Sequence, residues 1–175
     1  MFSLALLIVV IFSAVTIVFY TLRNGISPMP TGGRVNRVVL DVLSDVNPNG
    51  RIVELGSGWG TLALGIGKRL PKCSVVGYEN SPVPYFVSHL LRVVLVGANV
   101  VFDRVDFYRV ALSGFDVAVC YLYPGAMEKL REKFASELRP GTLVVSHTFA
   151  VPGWEPERVV EVSDLYRTKV YVYRV

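Results

Sequence analysis

The stretch at residues 51–60, Arg-Ile-Val-Glu-Leu-Gly-Ser-Gly-Trp-Gly, constrains the fold more than any other part of the chain. Residues 52–55 form a short apolar run, broken only by Glu54, and read as a buried strand. Gly56, Gly58 and Gly60 follow at alternate positions, and residues 61–70 then read as a helix packed back on that strand. A strand, a glycine turn and a helix start form the opening of a nucleotide-binding α/β domain. Such a turn must bend tightly and let a ligand come within contact distance of the backbone, which a Cβ would obstruct.

The spacing narrows the choice. A dinucleotide fingerprint puts a third glycine or alanine three positions after the second, and that position holds Thr61. The pattern is E-x-G-x-G-x-G, which resembles motif I of class I S-adenosylmethionine-dependent methyltransferases. The resemblance implies that Glu54 lies near the methionine part of the ligand. It also implies that Gly56, Ser57, Gly58 and Gly60 pass beneath it. Residues 73–79 read as the next strand, ending in Glu79 with Asn80 beside it. Glu79 stands about 21 residues after Gly58, close to where α/β nucleotide folds put the acid that accepts ribose hydroxyls. A carboxylate there accepts both hydroxyls and repels a 2′-phosphate. Glu79 therefore suits an adenosyl ligand or NAD, not NADP.

A second feature lies at the amino terminus. The first 22 residues carry no charged side chain. An apolar run of about 20 residues is long enough to cross a bilayer as a helix. A cleaved signal would show a basic start and a shorter apolar core, and the chain has neither. Arg23, Arg34 and Arg37 follow the run and no basic residue precedes it, so the positive-inside rule puts the remainder in the cytoplasm. The expected organisation is an anchor at 1–23, a linker at 24–31 rich in breakers (Asn24, Gly25, Pro28, Pro30), and one domain at 32–175.

Net charge is +4, which favours an anionic membrane surface or acidic partners. No arginine-rich run or basic helix face argues for nucleic acid. Cys73 and Cys120 fall in expected core strands and read as small buried hydrophobes. With two histidines and no Cys/His cluster, a zinc site is not expected.

Along the rest of the chain, Thr31 reads as the N-cap of a helix over 32–44, and 47–50 as a turn. Residues 80–84 read as a loop, 85–96 as a helix closed by Gly97, and 99–102 as a strand. Residues 104–108 read as a loop, 115–122 as a strand, 123–125 as a turn, 127–138 as a helix and 142–146 as a strand. Alternating strands and helices predict a mostly parallel sheet covered on both sides. Residues 159–162 and 168–174 follow with no helix between them and predict a terminal antiparallel pair. The expected fold is thus a Rossmann-like α/β domain with seven strands, mostly parallel, plus one N-terminal transmembrane helix.

Ligands of open parallel sheets bind beyond the carboxyl ends of the strands, so the candidate site residues follow each strand. Asp106 and Phe107 come after the third. In the family, an acid there bonds the adenine amino group and the next backbone amide serves a ring nitrogen. Tyr121 and Tyr123 come after the fourth, where the family places the methyl acceptor. Methyl transfer needs the acceptor lone pair held in line with the methyl group, and a tyrosine face also attracts a cationic amine. Strict alternation sends one tyrosine of the pair to the core. His147, after the fifth strand, is a candidate proton acceptor or a hydrogen-bonded structural residue. Trp154 reads as packing.

The soluble part as a whole resembles the small seven-β-strand protein-lysine methyltransferases of archaea and mitochondrial inner membranes. The resemblance rests on Pro30-Thr31, VELGSGWG, the acid of VVGYEN, and ELRPGTLVVSHTFAVPGW. It implies S-adenosylmethionine as cofactor, transfer to a lysine nitrogen, and, from the mitochondrial members, a hydrophobic leader like this one. Two segments depart from the family pattern, both toward the acceptor side. Trp59-Gly60-Thr61 stands where relatives commonly have Asp-Gly, and Pro82 and Pro84 stand where relatives run straight into a helix. The Asn/Asp-Pro-Pro-aromatic motif of amine methyltransferases is also missing after the fourth strand. The expected function is a membrane-anchored methyltransferase acting on a lysine of a membrane-associated protein. A lipid or small-molecule methyltransferase and an inactive ligand-binding module are the alternatives, and a nicotinamide dehydrogenase ranks last because of Thr61.

Overall fold

A computed structural model describes residues 2–46, 50–95 and 99–175. Helix α1 (Phe2–Asn24) precedes α2 (Gly33–Val46), β1 (Arg51–Leu55), α3 (Thr61–Arg69), β2 (Ser74–Tyr78), α4 (Pro82–Leu95) and β3 (Val100–Asp103). A 3₁₀ turn at Phe107–Arg109 leads to β4 (Val117–Cys120), α5 (Pro124–Glu137), β5 (Leu143–His147), β6 (Arg158–Glu161) and β7 (Lys169–Arg174). The strands form one sheet in the order β3-β2-β1-β4-β5-β7-β6. The first five are parallel, and β7 inserts antiparallel between β5 and β6. The expected seven-stranded Rossmann-like fold is therefore present.

At the centre of the sheet both faces are covered, so β1, β4 and β5 are buried almost throughout, while β6 at the edge is exposed. Successive residues still alternate between two cores. Ile52, Val75, Val117, Val119, Leu143 and Val145 join α2 and α3 on one side. Val53, Leu55, Ala118, Cys120 and Val144 join α5 on the other. Strand order reverses at β1, whose neighbours are β2 and β4. That reversal splays the two flanking connections apart and opens a crevice at the carboxyl ends of these strands.

The prolines explain where sequence and structure differ. Residues 80–84 were expected to be a loop, yet α4 starts at Pro82 and Tyr85 N already donates to Ser81 O at 3.1 Å. Residues 123–125 were expected to be a turn, yet α5 starts at Pro124 with Tyr123 at its N-cap. A proline in the first turn removes an N–H that has no intrahelical partner anyway. Both prolines therefore start helices here. The expected loop at 104–108 runs into a 3₁₀ turn at Phe107–Arg109, where the Asp106 side chain accepts from Tyr108 N at 3.0 Å. Thr31 does not cap α2, since the first helical bond runs from Asn36 N to Gly32 O and the Thr31 hydroxyl faces His147. The expected turn residues 47–49 and the capping Gly97 lie outside the described residues.

Helix α1 is long and apolar enough to cross a membrane by length and composition. It packs against α4, and its last residue, Asn24, is tied to Asn80 and Ser81 just ahead of that helix.

Candidate functional site

Three glycines with positive φ, Gly56 (73°), Gly58 (52°) and Gly60 (78°), carry the chain from β1 into α3. A side chain would be strained at each. Gly56 N and Ser57 N both donate to Tyr78 O at 2.9 Å, so the turn is stitched to the end of β2. At Gly60 space is also lacking, because a Cβ there would stand 2.6 Å from Phe102 Cζ and 2.7 Å from Ser88 Cβ. At Gly58 the space is open, with Pro28 Cβ the nearest atom, 4.0 Å from where a Cβ would be.

Glu79 is buried where β2 ends. One carboxylate oxygen accepts from Gly58 N at 2.8 Å and the other from Ser81 N at 2.7 Å. Two backbone donors thus fix the carboxylate against the glycine turn, with one lone pair on each oxygen still available. Glu54 is also buried, and it accepts from Ala63 N at 2.8 Å, in the first turn of α3. Burial pushes its carboxyl up to about 8; the Ala63 amide opposes the shift and the charge of Glu79 adds to it.

A cavity of about 260 Å³ opens above this turn. Of the residues expected to hold or orient a ligand, Gly56, Gly58, Glu79, Asn80, Asp106, Phe107, Tyr121 and Tyr123 line it. Glu54, Ser57 and Gly60 are not among the lining residues and lie beneath it. Ser57 Oγ is buried without a hydrogen-bond partner among the described residues. Both tyrosines reach the cavity, and Leu122 between them is the buried one. Residues two apart on an extended chain face the same side, so the expectation that alternation sends one tyrosine of the pair to the core fails. The Tyr121 ring stacks on His147 with centroids 4.4 Å apart.

His147 is buried and desolvation lowers its pKa to about 4. Its Nε2 lies 3.3 Å from Thr31 Oγ1 and its Nδ1 3.1 Å from Thr148 Oγ1. Burial thus keeps the imidazole neutral near pH 7, and its ring backs that of Tyr121. Cys120, beneath the site, is driven up to about 12 by burial and is no nucleophile at neutral pH.

The linker offered Pro30-Thr31 as a closure over the ligand or a helix cap; these two line the neighbouring cavity, and the roof is built from the residues before them. Arg23, Asn24, Ile26, Ser27, Pro28 and Met29, in and just before the expected linker, line the cavity from above. Asn24 and Asn80 exchange amide hydrogen bonds at 2.8 and 3.0 Å. Trp59 Nε1 donates to Pro28 O. Gly25, at φ 73°, lies against the Tyr123 ring so closely that a Cβ would stand 2.8 Å from Cζ. Lys129, from α5, also lines the cavity, beside the Tyr108 ring.

A second cavity of about 450 Å³ meets the first at Met29 and Tyr121, which line both. Its other walls include Thr31, His147, Asp164, Leu165 and Tyr166. Among the described residues no cluster of three or more His, Cys, Asp or Glu offers a metal site.

Comparison with known proteins agrees with this geometry. The ANTKMT methyltransferase domain family matches residues 54–158. A protein-lysine N-methyltransferase of Saccharolobus islandicus (strain REY15A) is 30% identical over 139 residues, 78% of this chain and 84% of that protein. The adenine nucleotide translocase lysine N-methyltransferase of Mus musculus is 33% identical over 138 residues, 75% of this chain and 58% of that longer protein. The crystal structure of an RNA methyltransferase from Salinibacter ruber in complex with S-adenosyl-L-homocysteine superposes with a TM-score of 0.76 at 30% identity, covering 84% of this chain and 94% of that one.

The residues fit the cofactor such enzymes use. The uncovered backbone at Gly58 leaves room for a flat nucleoside, and Glu79 is held with lone pairs available for a ribose diol. The chain belongs to the ANTKMT methyltransferase domain family, and it is an S-adenosylmethionine-dependent methyltransferase.

Proposed function

We propose that this protein is a membrane-anchored N-methyltransferase whose acceptor is a lysine of a membrane-associated protein. Residues 1–23 form the anchor, 24–31 the connection and 32–175 the transferase domain. The apolar length of α1 supports the anchor, and Arg23, Arg34 and Arg37 beyond it support a cytoplasmic domain. The names of the archaeal and mouse relatives support a lysine acceptor.

The observation that carries the acceptor side is the meeting of two cavities at Tyr121. When bound, S-adenosylmethionine supplies an electrophilic methyl group on a cationic sulfur. Gly56, Ser57, Gly58 and Gly60 shape the floor under it, over Glu54. Glu79 and Asn80 hold the ribose side, and Asp106 and Phe107 hold the adenine side. A lysine side chain enters through the second cavity. At the outer end stands Asp164, whose carboxyl is held below its ordinary value by hydrogen bonds from the Thr168 side chain and backbone. An anion there draws an ammonium inward. At the inner end Tyr121 offers a ring face to the cation, and neutral His147 behind that ring adds no repelling charge. Attack needs the neutral amine, so the ammonium gives its proton to water before the lone pair lines up. Tyr121 and Tyr123 orient that nitrogen, a positioning role that requires no strong base.

Incubating membranes with methyl-labelled S-adenosylmethionine and the enzyme tests this. Label in protein bands, recovered as methyl-lysine after hydrolysis, is the expected outcome. Label confined to the organic extract would assign a lipid or small molecule, and label in RNA would move the acceptor to nucleic acid. Tight cofactor binding with no labelled product would make the chain a binding module.

A further inference from the structure

We propose that α4 is a second membrane contact, its apolar outer face lying at the lipid headgroup–acyl boundary beside α1. The proposal rests on the reading of α1 as a membrane span. Phe86, Leu90, Val93 and Val94 recur at intervals of four, three and one, which puts them on one side of the helix. They are 68, 56, 70 and 72% exposed. The opposite side, with Pro84 and Ser88, is buried. Helix α2 shows the ordinary arrangement, with Val35, Val39, Val42 and Leu43 inward and the exposed Asp41 and Asp45 outward. Helix α4 has no acidic residue at all, and Arg92 is its one charged side chain.

Lipid is the occupant because of what adjoins this face. Helix α1 packs against α4, and its partly shielded residues, Ser13, Thr16, Ile17, Tyr20, Thr21 and Asn24, fall on one side at helical spacing. The reciprocal Asn24–Asn80 pair fixes the end of α1 at the start of α4. The apolar surfaces of the two helices are therefore continuous, and whatever bathes one bathes the other. At 14 residues and 1.5 Å per residue, α4 spans roughly 21 Å, short of the ~30 Å hydrocarbon core. It lies in the interface and does not cross. Arg23 and Arg92 suit the anionic headgroup layer. Glu79, Asn80 and Ser81 line the cavity and lead directly into α4. Seating α4 in lipid therefore holds the ligand cavity at a fixed height beside the bilayer, within reach of lysines close to the membrane surface.

The test uses the full chain reconstituted in phosphatidylcholine vesicles containing phosphatidylglycerol. Native Cys73 and Cys120 are buried, so a thiol-reactive fluorophore reports on an added cysteine. Val94→Cys probes α4, and Glu132→Cys, on the exposed side of α5, is the control. Lipids brominated along the acyl chain are expected to quench roughly half the emission at position 94 and almost none at 132. Phe86→Glu, also at an exposed position, is expected to reduce the quenching at 94. An unquenched label at 94 in protein that resists alkaline carbonate extraction overturns this proposal and leaves the anchor standing. An unquenched label in protein released by carbonate overturns both. Crosslinking of two copies through position 94, without quenching, overturns it in favour of a dimer.

Discussion

Beneath the ligand cavity the joints are made by backbone. Gly56 N and Ser57 N donate to Tyr78 O, and Gly58 N and Ser81 N donate to the buried carboxylate of Glu79. Above it they are made by side chains across long stretches of sequence: Asn24 with Asn80, Trp59 with Pro28, Tyr123 against Gly25. The floor is continuous with the central sheet, so it can shift only if β1 and β2 shift. The roof hangs on a few partly exposed contacts, and such segments open at low cost. A site built this way keeps a fixed binding surface and an entrance that can move. Substitutions in the floor should change affinity and stability together, whereas those in the roof should change how fast the ligand leaves.

The sharpest way to break this contrast is Glu79→Ala. It removes the carboxylate proposed to accept both ribose hydroxyls and leaves Gly58 N and Ser81 N without their acceptor. Two hydrogen bonds to a charged group are worth about 1.5–3 kcal/mol each, so affinity for S-adenosylhomocysteine should fall about 1,000-fold. Calorimetry measures this, and a thermal scan should show a lower midpoint as well. An unchanged affinity would remove Glu79 from the site.

Glu54→Gln sharpens the same side by way of pH. The folded-state pKa of Glu54, about 8, lies above its ordinary value of 4.5. The native state therefore holds a proton that the unfolded state has lost between these limits. The associated stability is fully present below about pH 4.5 and disappears as pH rises through 8. Glutamine keeps an acceptor for Ala63 N and never charges. The variant should gain little at pH 5 and about 5 kcal/mol at pH 9, or roughly 15 °C in midpoint. A difference that stays flat with pH would mean that the carboxylate is already ionised in the folded protein.

The same contrast accounts for what the sequence disclosed. The floor is local: Glu54, the three glycines and Glu79 belong to one strand–turn–helix–strand unit, and each has a conformational or charge requirement visible in residue type and spacing. The seven strands and their terminal antiparallel pair followed from the alternation of elements and the final two strands without a helix between them. Pro82 and Pro84 misled because a proline signals a break equally well before a helix and within its first turn, and only the Ser81–Tyr85 bond distinguishes the two. The roof was hard to read because its contacts join residues far apart in sequence, Pro28 with Trp59, Asn24 with Asn80 and Gly25 with Tyr123. An Asn-Gly followed by prolines spells a linker whether or not it folds over a cavity. The acceptor side was half legible. Tyr121 and Tyr123 stood out by position, but the second cavity depends on residues 164–166 of the β6–β7 connection, which carry no motif.

Gly25→Ala tests the roof at its tightest point. The new methyl meets strain at φ 73° and would stand 2.8 Å from Tyr123 Cζ. Either the connection lifts or the tyrosine turns aside, and in both cases the cavity loses its close cover. A strained non-glycine residue at positive φ costs about 1–2 kcal/mol, so ligand affinity should drop about tenfold. The thermal midpoint of the sheet domain should move little. A large fall in midpoint with affinity retained would mean that the connection supports the fold and does not cover the ligand.

Asn24→Ala should have the smallest effect and divides the two regions most cleanly. It removes the reciprocal amide pair with Asn80 and the bond to Ser81 Oγ, but leaves the Glu79 carboxylate and its backbone donors untouched. A neutral, partly exposed pair contributes about 0.5–1.5 kcal/mol. Dissociation of S-adenosylhomocysteine in a stopped-flow displacement should therefore speed up about three- to tenfold, with association little changed, since loosening a cover chiefly shortens the bound lifetime. The temperature of unfolding should stay within a degree or two of the parent. Were association to slow instead, Asn24 would be helping to preform the floor through Asn80, and the division between a rigid floor and a movable roof would fail at the residue where the two meet.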